Sequence, residues 1–268
     1  MRLLTHLSLC SGIGGIDLAA EWAGFETVGQ CEIDDYASKI LAKNFKGVHN
    51  FHDIRTITDG VLRGAGIIAG TVTVMSAGFP CQPYSLAGKG LGDGDERDLW
   101  EEVARCIGLV RPKWFVGENT PGLFARANQR YFRRIVNDLS ALGYSTSWGM
   151  WGACDVGAPH KRDRVFIVAY ADSERRACLY ENWEIRCAKL CMETASPERA
   201  WEDIWAYEEI GGVFCILRNT PAPYRRFARD DHGLSIGVDR LRCLGNAVVP
   251  QQVYPIFRAI AELEGETE

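Results

Sequence analysis

Apolar positions along the chain follow two periods. Short apolar, β-branched runs at Leu3 to Leu9, Thr27 to Cys31, Thr71 to Ala77, Trp114 to Gly117, Tyr144 to Ala153 and Val165 to Ala169 stop at glycine, proline, asparagine or charged residues. Runs of that length and composition predict strands, several of them buried. A further short strand is predicted from Val48 to Phe51. Between the strands the spacing becomes helical, with Ile16, Leu18, Ala19, Ala20, Trp22 and Ala23 on one helix and Tyr36, Ile40, Leu41 and Phe45 on the next. Asp34 or Asp35 is the expected cap of that second helix. Leu99 to Val110 and Asn128 to Leu142 read as helices, the latter with Tyr131, Phe132, Ile135, Leu139 and Leu142 inward. A last helix is predicted from Pro250, a residue favoured at a first helical position, to Leu263. Strands alternating with helices predict an α/β, doubly wound fold.

The periodicity fails from Asp172 to Glu209, where ten acids stand against five bases and Trp183, Trp201 and Trp205 are interspersed. This stretch predicts a small inserted lobe. From Arg218 to Arg242 the sign reverses, with six arginines against three aspartates around Pro221-Ala222-Pro223, Tyr224 and Phe227. Such a stretch either tracks a phosphate backbone or forms an ordinary surface loop. The expected organisation is a main α/β domain over 1–170, a small inserted region over 171–235, and a C-terminal segment over 236–268 that packs back near the first strand.

Composition changes this picture little. The 268 residues, 47% hydrophobic and 24% charged, suit one core and a small second lobe. No apolar run reaches the 18 or so residues of a membrane span, and the N-terminus lacks a basic-then-apolar leader, so a cytoplasmic protein is expected. Ten scattered cysteines without a CxxC pair argue for a reducing compartment and against a structural zinc site. The net charge of −5 neither indicates nor excludes a nucleic-acid partner, because binding depends on a local patch.

The candidate chemistry collects at predicted strand ends, the edge where open α/β sheets bind ligands. Ser11-Gly12-Ile13-Gly14-Gly15 follows the first strand and opens a helix. Such a loop either admits a nucleotide-like ligand or only makes the turn. Glu32 ends the second strand about 20 residues on, the offset at which an acid reaches ribose hydroxyls. Asp53-Ile54 ends the next. Cys81 lies just beyond a strand, between Pro80 and Pro83, which hold it on a stiff extended segment. Glu118 emerges at the same edge. The glycine-rich stretch from Gly88 to Asp98 is either a closing loop beside Cys81 or a plain connector. Arg162 and Arg164 alternate on an extended segment, where they either clamp an anion or base edge or pair with Asp163 at the surface. Arg126, Arg130, Arg133 and Arg134 surround the helix after Glu118 and read as a solvated face.

In order and spacing, Ser11-Gly12-Ile13-Gly14-Gly15, Pro80-Cys81-Gln82, Glu118-Asn119-Thr120, Arg162-Asp163-Arg164 and Gly245-Asn246-Ala247-Val248 resemble the DNA (cytosine-5) methyltransferases, over about residues 3–170 and 240–263. The resemblance implies a Rossmann-like S-adenosylmethionine-dependent methyltransferase fold with a small inserted recognition lobe. It implies S-adenosylmethionine as methyl donor and double-stranded DNA as partner, for a monomer with no membrane contact, and leaves room for a cognate restriction endonuclease. Cys81 would be the nucleophile at cytosine C6, Glu118 the acid at N3, and Arg164 with Arg162 the holders of the cytosine carbonyl. Cofactor contacts would fall on Ser11, Gly12, Ile13, Gly14 and Gly15, on Glu32 and Ile33, on Asp53 and Ile54 near the adenine, and on Pro80, Leu99, Asn246 and Val248. Cys10 stands where the family usually has an aromatic residue, Ser8 where it often has Asp, and His160 where Gln is common. One branch of the family modifies tRNA, which is the alternative activity. A non-catalytic nucleic-acid-binding homologue is the alternative class.

Overall fold

The computed structural model describes residues 3–80, 98–158, 161–171 and 247–266. Cys81, His160, Asn246, the glycine-rich loop through Arg97 and the expected recognition region from 172 onward lie outside the described residues. In chain order the elements are β1 (Thr5–Leu9), α1 (Gly15–Trp22), β2 (Glu26–Cys31), α2 (Asp35–Asn44), α3 (Asp59–Gly64), β3 (Val74–Gly78), α4 (Trp100–Val110), β4 (Trp114–Asn119), α5 (Gln129–Ala141), β5 (Tyr144–Trp151), β6 (Arg164–Ala171) and α6 (Pro250–Glu266).

The strands form one sheet in the order β2-β1-β3-β4-β6-β5. β1 pairs in parallel with both β2 and β3, and β3 with β4, whereas β6 runs antiparallel to β4 and β5. The carboxyl ends of β1 to β5 and the start of β6 therefore share one edge. The chain steps outward from β1 to β2 and returns across β1 to β3, so the winding reverses at that edge.

Side chains that alternate across the strands feed two cores, which is why the runs read as continuously apolar. On one face Leu7, Leu9, Met75, Ala77, Phe115 and Ile167 pack against Trp100, Ile107, Ile135 and Leu139 of α4 and α5. On the other Val74, Trp114, Val116, Phe166 and Val168 meet Ile16, Ala19 and Ala20 of α1 and Phe257 and Ile260 of α6. Each large buried side chain is worth roughly 1.5–3 kcal/mol. The expected return of the C-terminal helix toward β1 is seen in Phe257, whose ring meets His6 at 5.2 Å and Phe25 at 5.4 Å, both edge-on.

Under α1 the sheet carries a buried polar layer. His6 lies between Thr27 Oγ1 at 3.2 Å and Ser76 Oγ at 2.8 Å. Asp17 accepts from Ser8 Oγ at 3.1 Å and Gln30 Nε2 at 2.9 Å. Burial holds His6 down at about 3 and pushes Asp17 up to about 6, hydrogen bonds from Gln30, Ser8 and its own backbone only partly opposing the latter.

Three features differ from the sequence expectation. Val48 to Phe51 forms only an isolated bridge between Asn50 and Gln30, because left-handed backbone at Gly47 and His52 turns the chain out on both sides. Helix α3, short and with two glycines, carries little intrinsic propensity; a Thr58 cap on Val61 N and burial of Leu62 hold it. α6 continues past Leu263 because Glu264 accepts from Trp114 Nε1 at 2.9 Å and pairs with Lys113.

Candidate active site at the carboxyl edge of the sheet

At the β1–β2 end the chain leaves β1 through left-handed backbone at Cys10 (φ 50°), Gly12 (57°) and Gly14 (89°). Ser11 ties this loop to β2, its N–H donating to Cys31 O at 3.1 Å and its hydroxyl to Ser8 O at 3.2 Å. The glycines are not equivalent. A Cβ on Gly14 would strike the Phe45 ring and one on Gly15 the Val248 carbonyl, whereas among the described residues nothing beyond its chain neighbours lies within 4 Å of the place a Gly12 Cβ would take. Gly14 and Gly15 permit packing; Gly12 fronts open space.

Glu32 flanks that space. Its Oε2 accepts Gly12 N–H at 2.7 Å and its Oε1 accepts Asp34 N–H at 2.8 Å. Asn50 fixes the backbone beneath, accepting Glu32 N–H at 2.9 Å and donating to Glu32 O at 3.2 Å. Burial raises the Glu32 carboxyl, and backbone donors at Asp34, Gly12 and Ile33 partly oppose this. A carboxylate offers about four lone-pair positions, so acceptor capacity remains for a hydroxyl donor. Ile33 beside it is 53% exposed. An open glycine, an acid with spare acceptor capacity and an exposed apolar side chain fit a ribose-bearing ligand.

Asp53 caps the turn Ile54–Thr56 and pairs with Arg55 at 2.9 Å, and the hydrogen bond from Arg55 holds its carboxyl below the usual range. Arg105 anchors this turn from α4 through Ile54 O at 2.8 Å. Leu99 and Val248 both pack on the cores, Leu99 half-buried beside α4 and Val248 against α1.

At the β4–β6 end, Glu118 belongs to the last turn of pleat in β4 rather than to the loop after it, paired in register with Gly78 of β3 and Phe166 of β6. Its side chain is buried and meets Arg164 Nε at 2.8 Å. Burial is the larger influence and raises the Glu118 carboxyl; Arg164 and Arg162 pull it back. Arg162 is itself lowered to about 10 by burial and by Arg164. Asn119 reaches across to β3, donating to Phe79 O at 3.0 Å, and so holds the segment that runs through Pro80 toward Cys81.

The alternation expected of Arg162 and Arg164 is broken. Arg162 adopts φ 36°, a conformation unfavourable for any residue with a Cβ, and its guanidinium turns to the Ala247 carbonyl while Arg164 turns to Glu118. Asp163 pairs with Lys161 at 3.0 Å and not with either arginine, so the surface pairing expected of Arg162 and Arg164 is not the one formed. The strain at Arg162 is held by Gln252 of α6, fully buried, which donates to Arg162 O at 2.9 Å and Trp151 O at 3.2 Å. Trp151 Nε1 answers on Gln252 O at 2.8 Å.

Neither Asn50 nor Gln252 is among the residues expected from the sequence, and Asn119 enters there only inside the Glu118-Asn119-Thr120 motif. Gln252 had a usable signal, an amide on the apolar stripe of α6 with Ile256, Phe257 and Ile260. Among the other cysteines, burial pushes Cys10 and Cys106 up to about 12 and raises Cys31. Those thiols are poor nucleophiles. Among the described residues no cluster of three or more His, Cys, Asp or Glu could hold a metal, and no helix is long and apolar enough to cross a membrane.

The sheet, with a glycine loop at its winding reversal and an acid–arginine pair across the edge, defines a doubly wound α/β fold with its candidate site at the carboxyl edge. Residues 4–206 match the model of the C-5 cytosine-specific DNA methylases, and the chain belongs to that family. It is 38% identical over 168 residues to the Type II methyltransferase M.NgoBI of Neisseria gonorrhoeae, covering 62% of this chain and 50% of that one. With the Type II methyltransferase M.HaeII of Haemophilus aegyptius it is 36% identical over 173 residues, covering 64% and 52%. The chain spans about half the length of these relatives. Its fold is that of a triple-mutant DNMT2 from Spodoptera frugiperda, with a TM-score of 0.61 at 17% identity over 96% of this chain and 99% of the other. The family implies a methyl donor.

Proposed function

We propose that the chain transfers a methyl group from S-adenosylmethionine to C5 of a cytosine in double-stranded DNA, with Cys81 as covalent nucleophile. The observation that carries this reading is the β3–β4 register: Gly78 pairs with Glu118, so the segment leading through Phe79 and Pro80 to Cys81 starts beside a buried acid.

C5 of cytosine is a weak nucleophile. The Cys81 thiolate forms a bond to C6, and the C5–C6 electron pair becomes available at C5. Glu118 supports the addition by giving its proton to N3; burial favours the protonated carboxyl beforehand, and Arg164 at 2.8 Å steadies the carboxylate afterwards. Arg164 and Arg162 also supply positive charge for the cytosine carbonyl. When bound, S-adenosylmethionine supplies an electrophilic methyl group to C5. Loss of the C5 proton to water, departure of the Cys81 sulfur as thiolate and return of the N3 proton to Glu118 restore the ring as 5-methylcytosine. Because C6 is out of reach in a duplex, the base must leave the stack to meet Cys81.

For the cofactor, the Ser11–Gly15 backbone, Glu32 at the ribose, Ile33, Asp53 and Ile54 near the adenine, and Pro80, Leu99, Asn246 and Val248 are the proposed contacts. Residues 1–170 form the catalytic domain in this reading, 171–235 the target-recognition region and 236–268 the returning segment. The test is a base-resolution map of 5-methylcytosine in plasmid DNA from cells expressing the wild-type chain or Cys81→Ala. Methylation at a recurring motif, lost in the variant, is expected. An unmethylated plasmid beside soluble wild-type protein overturns the reading.

A further inference from the structure

Between Pro121 and Asn137 the chain carries four arginines and no acid, although it is acidic as a whole. One of the four is accounted for internally. Arg134 reaches Asp98 at 3.0 Å, Glu101 at 3.6 Å and Asp138 at 3.7 Å. Arg126, Arg130 and Arg133 are exposed and make no ion pair with the described residues. Arg130 and Arg133, three apart on α5, are surface neighbours, and Arg126 lies in the short turn before them.

This row stands on the edge that carries the site. β4 delivers Glu118 and Asn119, and the chain passes directly through two tight turns into α5, closed by Asn128 Nδ2 on Gly122 O at 2.6 Å. Phe132 links α5 to β5, its ring edge-on to Trp148 at 5.1 Å. Trp148 is 47% and Met150 52% exposed, on the half of β5 that ends at the same edge. Arg130 also occupies the first turn of its helix, where a cation opposes the macrodipole at a cost of about 0.3–1 kcal/mol. Helix stability does not explain its presence.

We propose that Arg126, Arg130 and Arg133, with Trp148 and Met150 beside them, form a contact surface for the phosphate backbone of duplex DNA flanking the base in the site. The inference rests on the function proposed above, and gives the catalytic domain its own sequence-independent hold on DNA. Charge complementarity and continuity with the Glu118 edge select the partner.

The test is duplex-DNA binding by the full chain across a salt series, for wild type and the triple variant R126A/R130A/R133A, with methyl transfer assayed in parallel. Each lost phosphate contact should lower the steepness of log K against log[salt] by about 0.9, so the triple variant should lose roughly 2–3 units of slope. Its KM for DNA should rise while turnover at saturating DNA stays unchanged. R126K/R130K/R133K, which keeps the charge, should restore the slope and guards against a folding artefact. An unchanged slope in the alanine variant overturns the inference even where wild type methylates DNA. Weakened RNA binding with intact DNA binding also overturns it. A slope change without methyl transfer by wild type sustains the surface and defeats the proposed reaction instead.

Discussion

At the β1–β2 end of the edge, the acid that faces the open glycine is held by neutral backbone donors, Gly12 N–H and Asp34 N–H, from residues close to it in sequence or one strand away. At the β4–β6 end, the acid is held by the half-buried guanidinium of Arg164, and the neighbouring arginine is strained and pinned by a helix some 90 residues further along the chain. The first half is set by local backbone geometry and the second by tertiary contacts among buried charges. Damage to the first should therefore weaken binding, and damage to the second should slow chemistry.

The sharpest way to break that contrast on the cofactor side is Glu32→Ala. Hydrogen bonds to a charged group are worth ~1.5–3 kcal/mol each, so losing two should weaken cofactor binding by ~100-fold or more, read by calorimetry, with turnover at saturating cofactor largely kept. Gly12→Ala comes next. It adds a methyl group at φ 57° in open space, so the strain of about 1–2 kcal/mol and the filled cradle should cost roughly tenfold in cofactor affinity with a small change in melting temperature. Gly14→Ala, which meets Phe45, should show the reverse balance.

On the other side, Gln252→Leu leaves two buried carbonyls without their amide donor. It should cost about 1–3 kcal/mol in stability and lower turnover more than cofactor affinity. A loss of affinity without loss of turnover would sink the division. The smallest effect concerns the polar layer beneath the cofactor half. His6, held near 3 when folded, stays neutral while the unfolded chain gains a proton below about 6.5, so its stabilisation is present above that pH and lost below it. Asp17, raised to about 6, is protonated in the folded chain before the unfolded one, so stability recovers as pH falls from about 6 to about 4. Each contributes about 1 kcal/mol per pH unit, with opposite sign, and wild type should vary little over that window. Denaturant unfolding should show His6→Asn gaining stability toward pH 4 and Asp17→Asn losing it.

The geometry of the β1–β2 end is legible because its parts are local: a loop at one strand end, an acid at the next, and a spacing that follows from one βαβ unit. The same logic found Glu118 at its strand and the α5 face through Tyr131, Ile135 and Leu139. For Gln252 the sequence offers only an amide on an apolar stripe; its partners, and the left-handed turn of Arg162, are fixed by a contact between α6 and the segment before β6 that no local pattern encodes. The segment around Asn50 reads as a strand from its sequence but forms only a bridge, for a related reason. Its apolar residues, Val48 and Phe51, serve a loop held by β2, and only the flanking left-handed residues distinguish the two.

The most direct measurement is the pair of S-adenosylmethionine affinity and labelled methyl transfer for Glu118→Gln against wild type. Gln keeps the size and removes the proton donor, so methyl transfer should fall by about 100-fold or more while cofactor affinity stays within a few-fold of wild type. Methyl transfer at the wild-type rate, or affinity and rate falling together, contradicts the account.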